Sequence, residues 1–336
     1  MFRFKKYFEA NSTLIIAEFA NAFEGKKDIA LKMIDKAVEA GVDALKFQVF
    51  FTDELLVPEH PKYDVFKHLE TSRDDWYDIL NYAAGAGKLI FIDIYGEESF
   101  QFSQDFKADA YKIPPSEMTN APLIDQVSLS GISLIFSAGA ATLPEIENAI
   151  TISGKNRSED FVLMHGFQAY PTKLEDTNLN YLATLKRQFH CPVGYADHVD
   201  GGSELALLIP LLAVAKGAKL IEKHFTLNRE LKGTDYQSAV NPDILKKLVQ
   251  YIRDVDIIFS KSRKELSTDE RVYKEDVRKR IIARRRLAAG EKIDKQDVTF
   301  KRAPEGVFAE ELGKITGRTV VKEIGENQVL KWEYMD

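Results

Sequence analysis

The sequence predicts a closed barrel of eight parallel β-strands ringed by eight helices, a (β/α)₈ barrel, followed by a small β-rich domain. Three observations carry this expectation. Short β-branched runs alternate with helical patterns through the first 260 residues. Eight such strand-plus-helix units fit closure better than their rival, an open doubly wound sheet. From about Val277 the pattern changes to short β-like runs separated by turns, RIIARR, LAAGEKI, DVTFKRA and RTVVKEI.

The strands are expected at Leu14–Ala17, Ala44–Gln48, Leu89–Ile94, Ala110–Ile113, Ser133–Phe136, Phe161–Met164, Val193–Tyr195 and Lys219–Glu222. Asp28 is a candidate cap for the first helix, Leu31, Ile34 and Val38 fall on one face, and Gly41 ends it. After the eighth strand, Asn241-Pro242 starts a helix with Leu245, Leu248, Ile252 and Val255 at spacings of three and four. Residues 1–260 form the barrel on this reading, 261–276 a polar linker or linking helix, and 277–336 the second domain. A domain of that size needs support from the barrel or a partner subunit.

Bulk composition excludes several classes. A net charge of −6 argues against attraction to nucleic acid or an acidic membrane. The basic run 278–286, RKRIIARRR, reads as a strand with charges on its flanks, not as a nucleic-acid patch. The longest apolar run, Ala206 to Ala215, is broken by Pro210 and too short to span a bilayer. The N-terminal MFRFKKYFEANS lacks the apolar centre and cleavage site of a secretory signal. The single Cys191 forbids an internal disulfide and reads as a half-buried thiol at the start of a strand. A cytoplasmic enzyme is the expectation. Gly85-Ala86-Gly87-Lys88 lacks phosphate-loop spacing and reads as a helix end.

In such a barrel the active site lies at the carboxyl ends of the strands. Those ends carry Glu18; Lys46 and Gln48; Asp93; Lys112, Ser116 and Glu117; Ser137; His165, Gln168 and Tyr170; Asp197 and His198; and Glu222, Lys223 and His224. Polar chemistry at every strand end points to one shared pocket. Lys46 and Lys112 suit an anion such as a carboxylate or phosphate. His198 and His224, on adjacent strands, suit one divalent metal; imidazole and oxygen ligands fit Mn²⁺, Fe²⁺ or Zn²⁺ alike. Glu18 and Glu117 are candidates for proton transfer. His60, His68 and His190 read as loop or helix residues without a role.

At these same residues the sequence resembles the sialic acid (N-acetylneuraminate) synthases, a family that includes legionaminic and pseudaminic acid synthases. The resemblance runs through IIAEF…EG (15–25), AGVDALKFQ (40–48), DAYKIPPSE (109–117), SAGAATLPEI (137–146) and H-x₄-YPT (165–172). It continues through GYADH (194–198), GAKLIEKHFTL (217–227) and KGTDYQSAVNPD (232–243). LAAGEKIDKQDVTFKRAPEG (287–306) is similar to the family's antifreeze-like SAF domain.

The resemblance implies condensation of phosphoenolpyruvate with an N-acetylated hexose such as N-acetylmannosamine, giving a nine-carbon α-keto acid and phosphate. It implies that His198 and His224 hold a divalent metal, Mn²⁺ foremost, with Mg²⁺ or another divalent ion as alternatives. Lys46, Gln48, Lys112 and Ser137 would grip the enolpyruvate. Glu18 and Glu117 would lie at the reacting carbons, and Tyr170 and Asp235 would line the sugar site. Arg302 would reach that site from the partner subunit of a domain-swapped homodimer. The sequence departs from the family pattern at Phe23 and Glu24, at Asp93-Ile94-Tyr95, and at Pro115, Phe167, Ala196 and Tyr236. Several of these replace small hydroxyl donors. Two other readings stand beside the first: a metal-dependent barrel aldolase or lyase acting on a related keto acid, and a non-catalytic sugar-binding homologue.

Overall fold

The computed structural model describes residues 12–155, 161–260 and 265–336. The signal-peptide reading of the N-terminus and the first part of the expected linker, 261–264, fall outside the described residues. The chain divides into two compact units, Met1–Lys261 and Ser262–Asp336.

The first unit is a closed barrel in which each strand pairs with the next and β1 closes on β8. Its strands are β1 Leu14–Glu18, β2 Ala44–Val49, β3 Leu89–Ile94, β4 Ala110–Ile113, β5 Ser133–Ser137, β6 Phe161–His165, β7 Val193–Asp197 and β8 Leu220–His224. Every pairing is parallel. Several strands run one or two residues beyond the expected carboxyl ends. The β1–β8 ladder, for example, continues until Glu18 stands opposite His224.

Parallel barrel strands are covered on both faces, so both parities are apolar over most of their length. The structure separates the two. Leu14, Ile16, Ala44, Phe91, Ala110, Ile135, Val162, Met164, Ala196 and Leu220 form one cluster, the barrel interior. Ile15, Ala17, Leu45, Phe47, Ile90, Ile92 and Ile221 belong to the larger cluster beneath the helices. Side chains alternate along a strand. The next interior positions towards the carboxyl ends are therefore Glu18, Lys46, Asp93, Lys112, Ser137 and Glu222. An apolar floor is capped by a charged layer.

The helices follow the expected order. The helix Lys27–Ala40 ends at Gly41, whose φ of 86° lets its N–H reach the carbonyls of Ala37 and Val38. Asp28 is not its cap: Lys26 holds that position in extended backbone, and Asp28 lies in the first turn, where its charge opposes the helix dipole. The last barrel helix, Pro242–Phe259, begins at the expected proline, but Asn241 spends its side-chain oxygen on the Arg229 N–H, 2.9 Å away. This helix fixes the amino end of the barrel: Asp256 accepts from the Thr13 N–H at 2.9 Å and its hydroxyl at 2.7 Å. Residues 73–85 form a helix that precedes Gly87 at φ 70°, so the GAGK segment is a helix end.

In the second unit, Thr268–Val277 is a helix opened by a Ser267–Glu270 capping box, where the sequence left linker and helix open. The strand β9, Lys279–Ala283, pairs antiparallel with β10, Val298–Arg302. Ile281, Leu287, Ile293, Val298, Val307, Val320 and Leu330 build a small core. One charge of the basic run is not a solvated flank: Arg280 is buried, its guanidinium 3.4 Å from the centre of the Phe308 ring. Cys191 is buried, more deeply than expected. No helix among the described residues is long and apolar enough to cross a membrane.

Candidate active site at the carboxyl end of the barrel

The charged layer is built around two ammonium groups. Lys46 is fully buried and touches Glu18, stands 2.7 Å from Asp93 and 3.3 Å from Glu222. Lys112 lies 2.9 and 3.0 Å from the two oxygens of Glu222. Parallel register produces this grouping, since Glu18 is level with Lys46, and Asp93 with Lys112. Two cations and three carboxylates thus share a nearly dry space, where an unpaired charge would be costly.

The carboxylates are driven apart in acidity. Burial pushes the Glu18 carboxyl up to about 8, against the pull of Lys46. Burial also opposes ionisation of Glu222, but Lys112 and then Lys46 overcome it and hold that carboxyl at about 2. Glu18 therefore carries a proton near neutrality while Glu222 stays charged, the separation expected of an acid and its electrostatic partner. One Glu18 oxygen accepts from the Ala20 N–H at 2.7 Å; the other is the one that the Lys46 ammonium touches.

Beside this layer, the rings of His198 and His224 lie 5.2 Å apart, centre to centre, and Tyr170 packs against both, at 4.6 and 6.0 Å. His198 Nδ1 stands 2.8 Å from the Phe167 carbonyl. A carbonyl can only accept, so Nδ1 carries the hydrogen and Nε2 keeps its lone pair. Burial pushes His198 down to about 4 and His224 well below the usual histidine range, so both rings are neutral at pH 7. His224 Nδ1 is buried with no hydrogen-bond partner. Two neutral imidazoles, one with an orphaned nitrogen, fit a divalent ion. Among the described residues no three His, Cys, Asp or Glu side chains converge on one metal position. An ion here would take two protein ligands and draw the rest from water or substrate.

Gln48 and Ser137 share the interior parity of the lysines. Asp235, with φ 62°, accepts from the Asn21 N–H at 3.2 Å, and burial pushes its carboxyl up. Glu24, one of the departures from the family pattern, accepts from the Thr234 N–H at 3.2 Å, so the loops after β1 and β8 are clasped twice. Glu117 does not touch the lysine network. It is held by Ser116 and Asn120 at 3.1 and 2.8 Å and lines a cavity of about 580 Å³ with Tyr95, Glu54 and Asp125. Arg302 ends β10 in the second unit and is exposed.

Three strand-end residues turn away from the pocket. Asp197 and Lys223 have the outward parity and form an ion pair of 2.6 Å, with Tyr195 donating to the same aspartate at 3.2 Å. His165 also points outward, its Nε2 3.1 Å from the Thr177 carbonyl. They support the barrel wall. Tyr95, not among the expected site residues, faces the charged layer: burial and then Asp93 push its hydroxyl well up. Asp93 and Glu222 were visible as strand-end acids, but only the interior parity makes them partners of the lysines.

Comparisons with known proteins identify the family of the chain. The model of the NeuB family matches residues 33–264, and that of the SAF domain residues 278–333. The chain is 33% identical to the N,N'-diacetyllegionaminic acid synthase of Legionella pneumophila, over 96% of this chain and 94% of that one. It is 27% identical to the human N-acetylneuraminate-9-phosphate synthase, over 96% and 92% of the two chains. The crystal structure of the N-acetylneuraminic acid synthetase of Leptospira borgpetersenii, solved with citrate, superposes with a TM-score of 0.72 at 31% identity, covering 79% of this chain and 91% of that one.

Proposed function

We propose, since this chain belongs to the NeuB family, that it joins phosphoenolpyruvate to the open-chain aldehyde of an N-acetylated hexose, forming a sialic-acid-like α-keto acid and phosphate. N-Acetylmannosamine or a related aldose is the acceptor on this reading. The observation that carries it is the charged layer: two buried ammonium groups beside a carboxyl that keeps its proton at neutral pH, next to a pair of neutral histidines.

Lys46 and Lys112 hold the anionic groups of the donor, exchanging carboxylate partners for substrate oxygens, and Gln48 and Ser137 complete that contact. C3 of the enolpyruvate attacks the aldehyde carbon, and a C–C bond forms while the carbonyl π-bond breaks. The developing alkoxide takes the Glu18 proton, available because burial holds that carboxyl at about 8. The C2=C3 pair of the enolpyruvate makes the new bond and leaves C2 electron-poor; water adds there and loses a proton, and the bond from C2 to the phosphate oxygen then breaks, releasing phosphate and leaving the ketone at C2. Tyr170 and Asp235 line the acceptor side; Glu117, held by Ser116 and Asn120 in the neighbouring cavity, takes no step in this scheme. A divalent ion on His198 and His224, with Mn²⁺ the first candidate, supplies Lewis-acid polarisation and positions water when bound.

The finer parts of the proposal are a domain-swapped homodimer, in which Arg302 of one protomer contacts acceptor in the other, and a cytoplasmic location, which suits the free thiol of Cys191. An aldolase or lyase reading draws on the departures around Ile94 and at Pro115, Phe167 and Ala196, several of which replace small hydroxyl donors that would serve the enolpyruvate phosphate or carboxylate.

The test is a screen of aldoses with phosphoenolpyruvate and Mn²⁺, reading phosphate and keto acid together. Phosphate release that requires both substrates is expected. Keto acid formed equally well from free pyruvate, with no phosphate released, would sink the synthase reading in favour of the aldolase.

A further inference from the structure

We propose that the Tyr95 hydroxyl donates a hydrogen bond to an anionic oxygen of the enolpyruvate donor, which makes Tyr95 a further donor-binding residue. This rests on the donor assignment above and adds a contact to it.

Tyr95 follows β3 directly and keeps its interior parity, since Phe91 lies in the barrel floor and Asp93 in the charged layer. It therefore stands one step nearer the mouth than Asp93. β3 runs between β2 and β4, the strands that carry Lys46 and Lys112, so Tyr95 is on the side of the barrel where both ammonium groups arise. Asp93, Lys46, Glu18 and Tyr170 are the groups whose charges act on its hydroxyl. The residue is half-buried and also borders the cavity of Glu117.

Its backbone is firmly seated. The Tyr95 N–H donates to the Ser99 hydroxyl at 3.2 Å, and that hydroxyl donates to the Val49 carbonyl at 2.6 Å. Gly96, at φ 147°, leaves room for the Glu54 carboxylate, which a Cβ would strike. Glu54 in turn accepts from the N–H groups of Glu98 and Ser99 at 2.7 and 3.1 Å. The hydroxyl, by contrast, is unspent. Tyr111, Tyr170 and Tyr195 donate theirs to the Ser103 carbonyl, Gln168 and Asp197 at 3.3, 2.9 and 3.2 Å. Among the described residues the Tyr95 hydroxyl has no such partner. A well-seated polar group beside a buried charged layer, with its hydrogen unused, calls for a partner from outside the protein. Burial and Asp93 keep the proton on, so the group offers an O–H, the complement of an anionic oxygen. Several departures from the family pattern replace small hydroxyl donors, and this phenol supplies one from a different position.

Calorimetric titration of phosphoenolpyruvate into the full-length, Mn²⁺-saturated protein tests this, on wild type and Tyr95→Phe. Phenylalanine removes one oxygen and keeps the ring. Each protein is first checked for a cooperative thermal transition without donor; Tyr95→Leu, which also lacks the oxygen, replaces the phenylalanine variant should that one fail to fold. The variant is expected to bind donor about tenfold more weakly, the scale of one hydrogen bond to a charged oxygen, while its thermal midpoint without donor stays close to that of wild type. Equal affinity in wild type and the folded variant would overturn the role of Tyr95 and leave the donor assignment intact. No binding to wild type would overturn the donor assignment and this inference with it.

Discussion

Removing the Lys112 ammonium isolates the energy stored in the charged layer. In wild type, Lys112 is the main influence that lowers the Glu222 carboxyl from 4.5 to about 2 despite burial. That difference, roughly 2.5 units at ~1.36 kcal/mol each, is on the order of 3 kcal/mol, within the range for breaking a buried ion pair. Lys46, at 3.3 Å, shares in it and burial opposes both, so the figure describes what the two ammonium groups achieve together, net of burial. The sign follows from the same shift. Wild-type Glu222, with its folded value depressed, contributes stability above about 4.5 and loses it as pH falls from 4.5 towards 2. In Lys112→Met, burial is less opposed and the folded carboxyl moves upward. The deficit relative to wild type should then be largest at neutral to alkaline pH and shrink on acidification. Urea unfolding followed by far-ultraviolet circular dichroism, with chelator present, reads this out. With a slope of ~3 kcal/mol per molar for a unit this large, the barrel midpoint should drop by about 1 M at pH 7.5 and by clearly less at about pH 3.5, inside the window between 4.5 and 2. Adding Glu222→Gln to Lys112→Met should recover most of the loss, because the stranded charge is gone. An equal deficit at both pH values, or no recovery in the double variant, would refute the reasoning.

Chelation should abolish phosphate release, Mn²⁺ should restore it, and the circular dichroism spectrum should not change; undiminished turnover by a metal-stripped His198→Ala/His224→Ala protein would remove the metal from the mechanism. Mixing inactive Arg302→Ala and Glu18→Gln proteins after verified subunit exchange should restore part of the activity, because one site of a swapped heterodimer holds both intact residues; no recovery would reject the swapped arrangement. Cys191 is buried and its thiol is pushed up to about 12, so at pH 8 a thiol reagent should modify it only on unfolding, and free-thiol rates in the folded protein would contradict that burial.

The barrel was legible because each strand carries a compact β-branched run and each following helix its own apolar face. The direction of each strand-end side chain was not. In antiparallel sheets polar and apolar residues alternate and mark the two faces, whereas these strands are apolar on both. Asp197 and His198 are adjacent at one strand end, yet the first braces the barrel wall and the second faces the pocket. Glu222, Lys223 and His224 alternate in, out and in on the same ground. Helix caps were legible where glycine or proline dictates backbone geometry, as at Gly41 and Pro242. The cap of the first helix was not: Lys26, a residue without a capping side chain, holds the position expected of Asp28, whereas Asn241 holds its cap position but turns its side chain to the Arg229 N–H. Glu117 was grouped with Glu18 by its place after β4, but the short helical turn Pro115–Glu117 carries it into the neighbouring cavity.

The same parity explains why buried lysines serve two ends in this chain. Lys223 lies outside the strands and beneath the helices, with one carboxylate, Asp197, and a tyrosine hydroxyl completing that carboxylate's shell. Its pair is closed and has no route to exchange partners. Lys46 and Lys112 lie inside, one layer above the apolar floor and below the mouth where His198, His224 and Tyr170 gather. They share three carboxylates, one of which, Asp93, retains a buried oxygen without a hydrogen bond. An unspent acceptor is poor structural glue, since an orphaned oxygen costs free energy. The arrangement is well suited to exchange: an entering anion can displace carboxylates from the ammonium groups. Closed pairing outside and open pairing inside distinguish the lysine that holds the barrel together from the two assigned to the substrate.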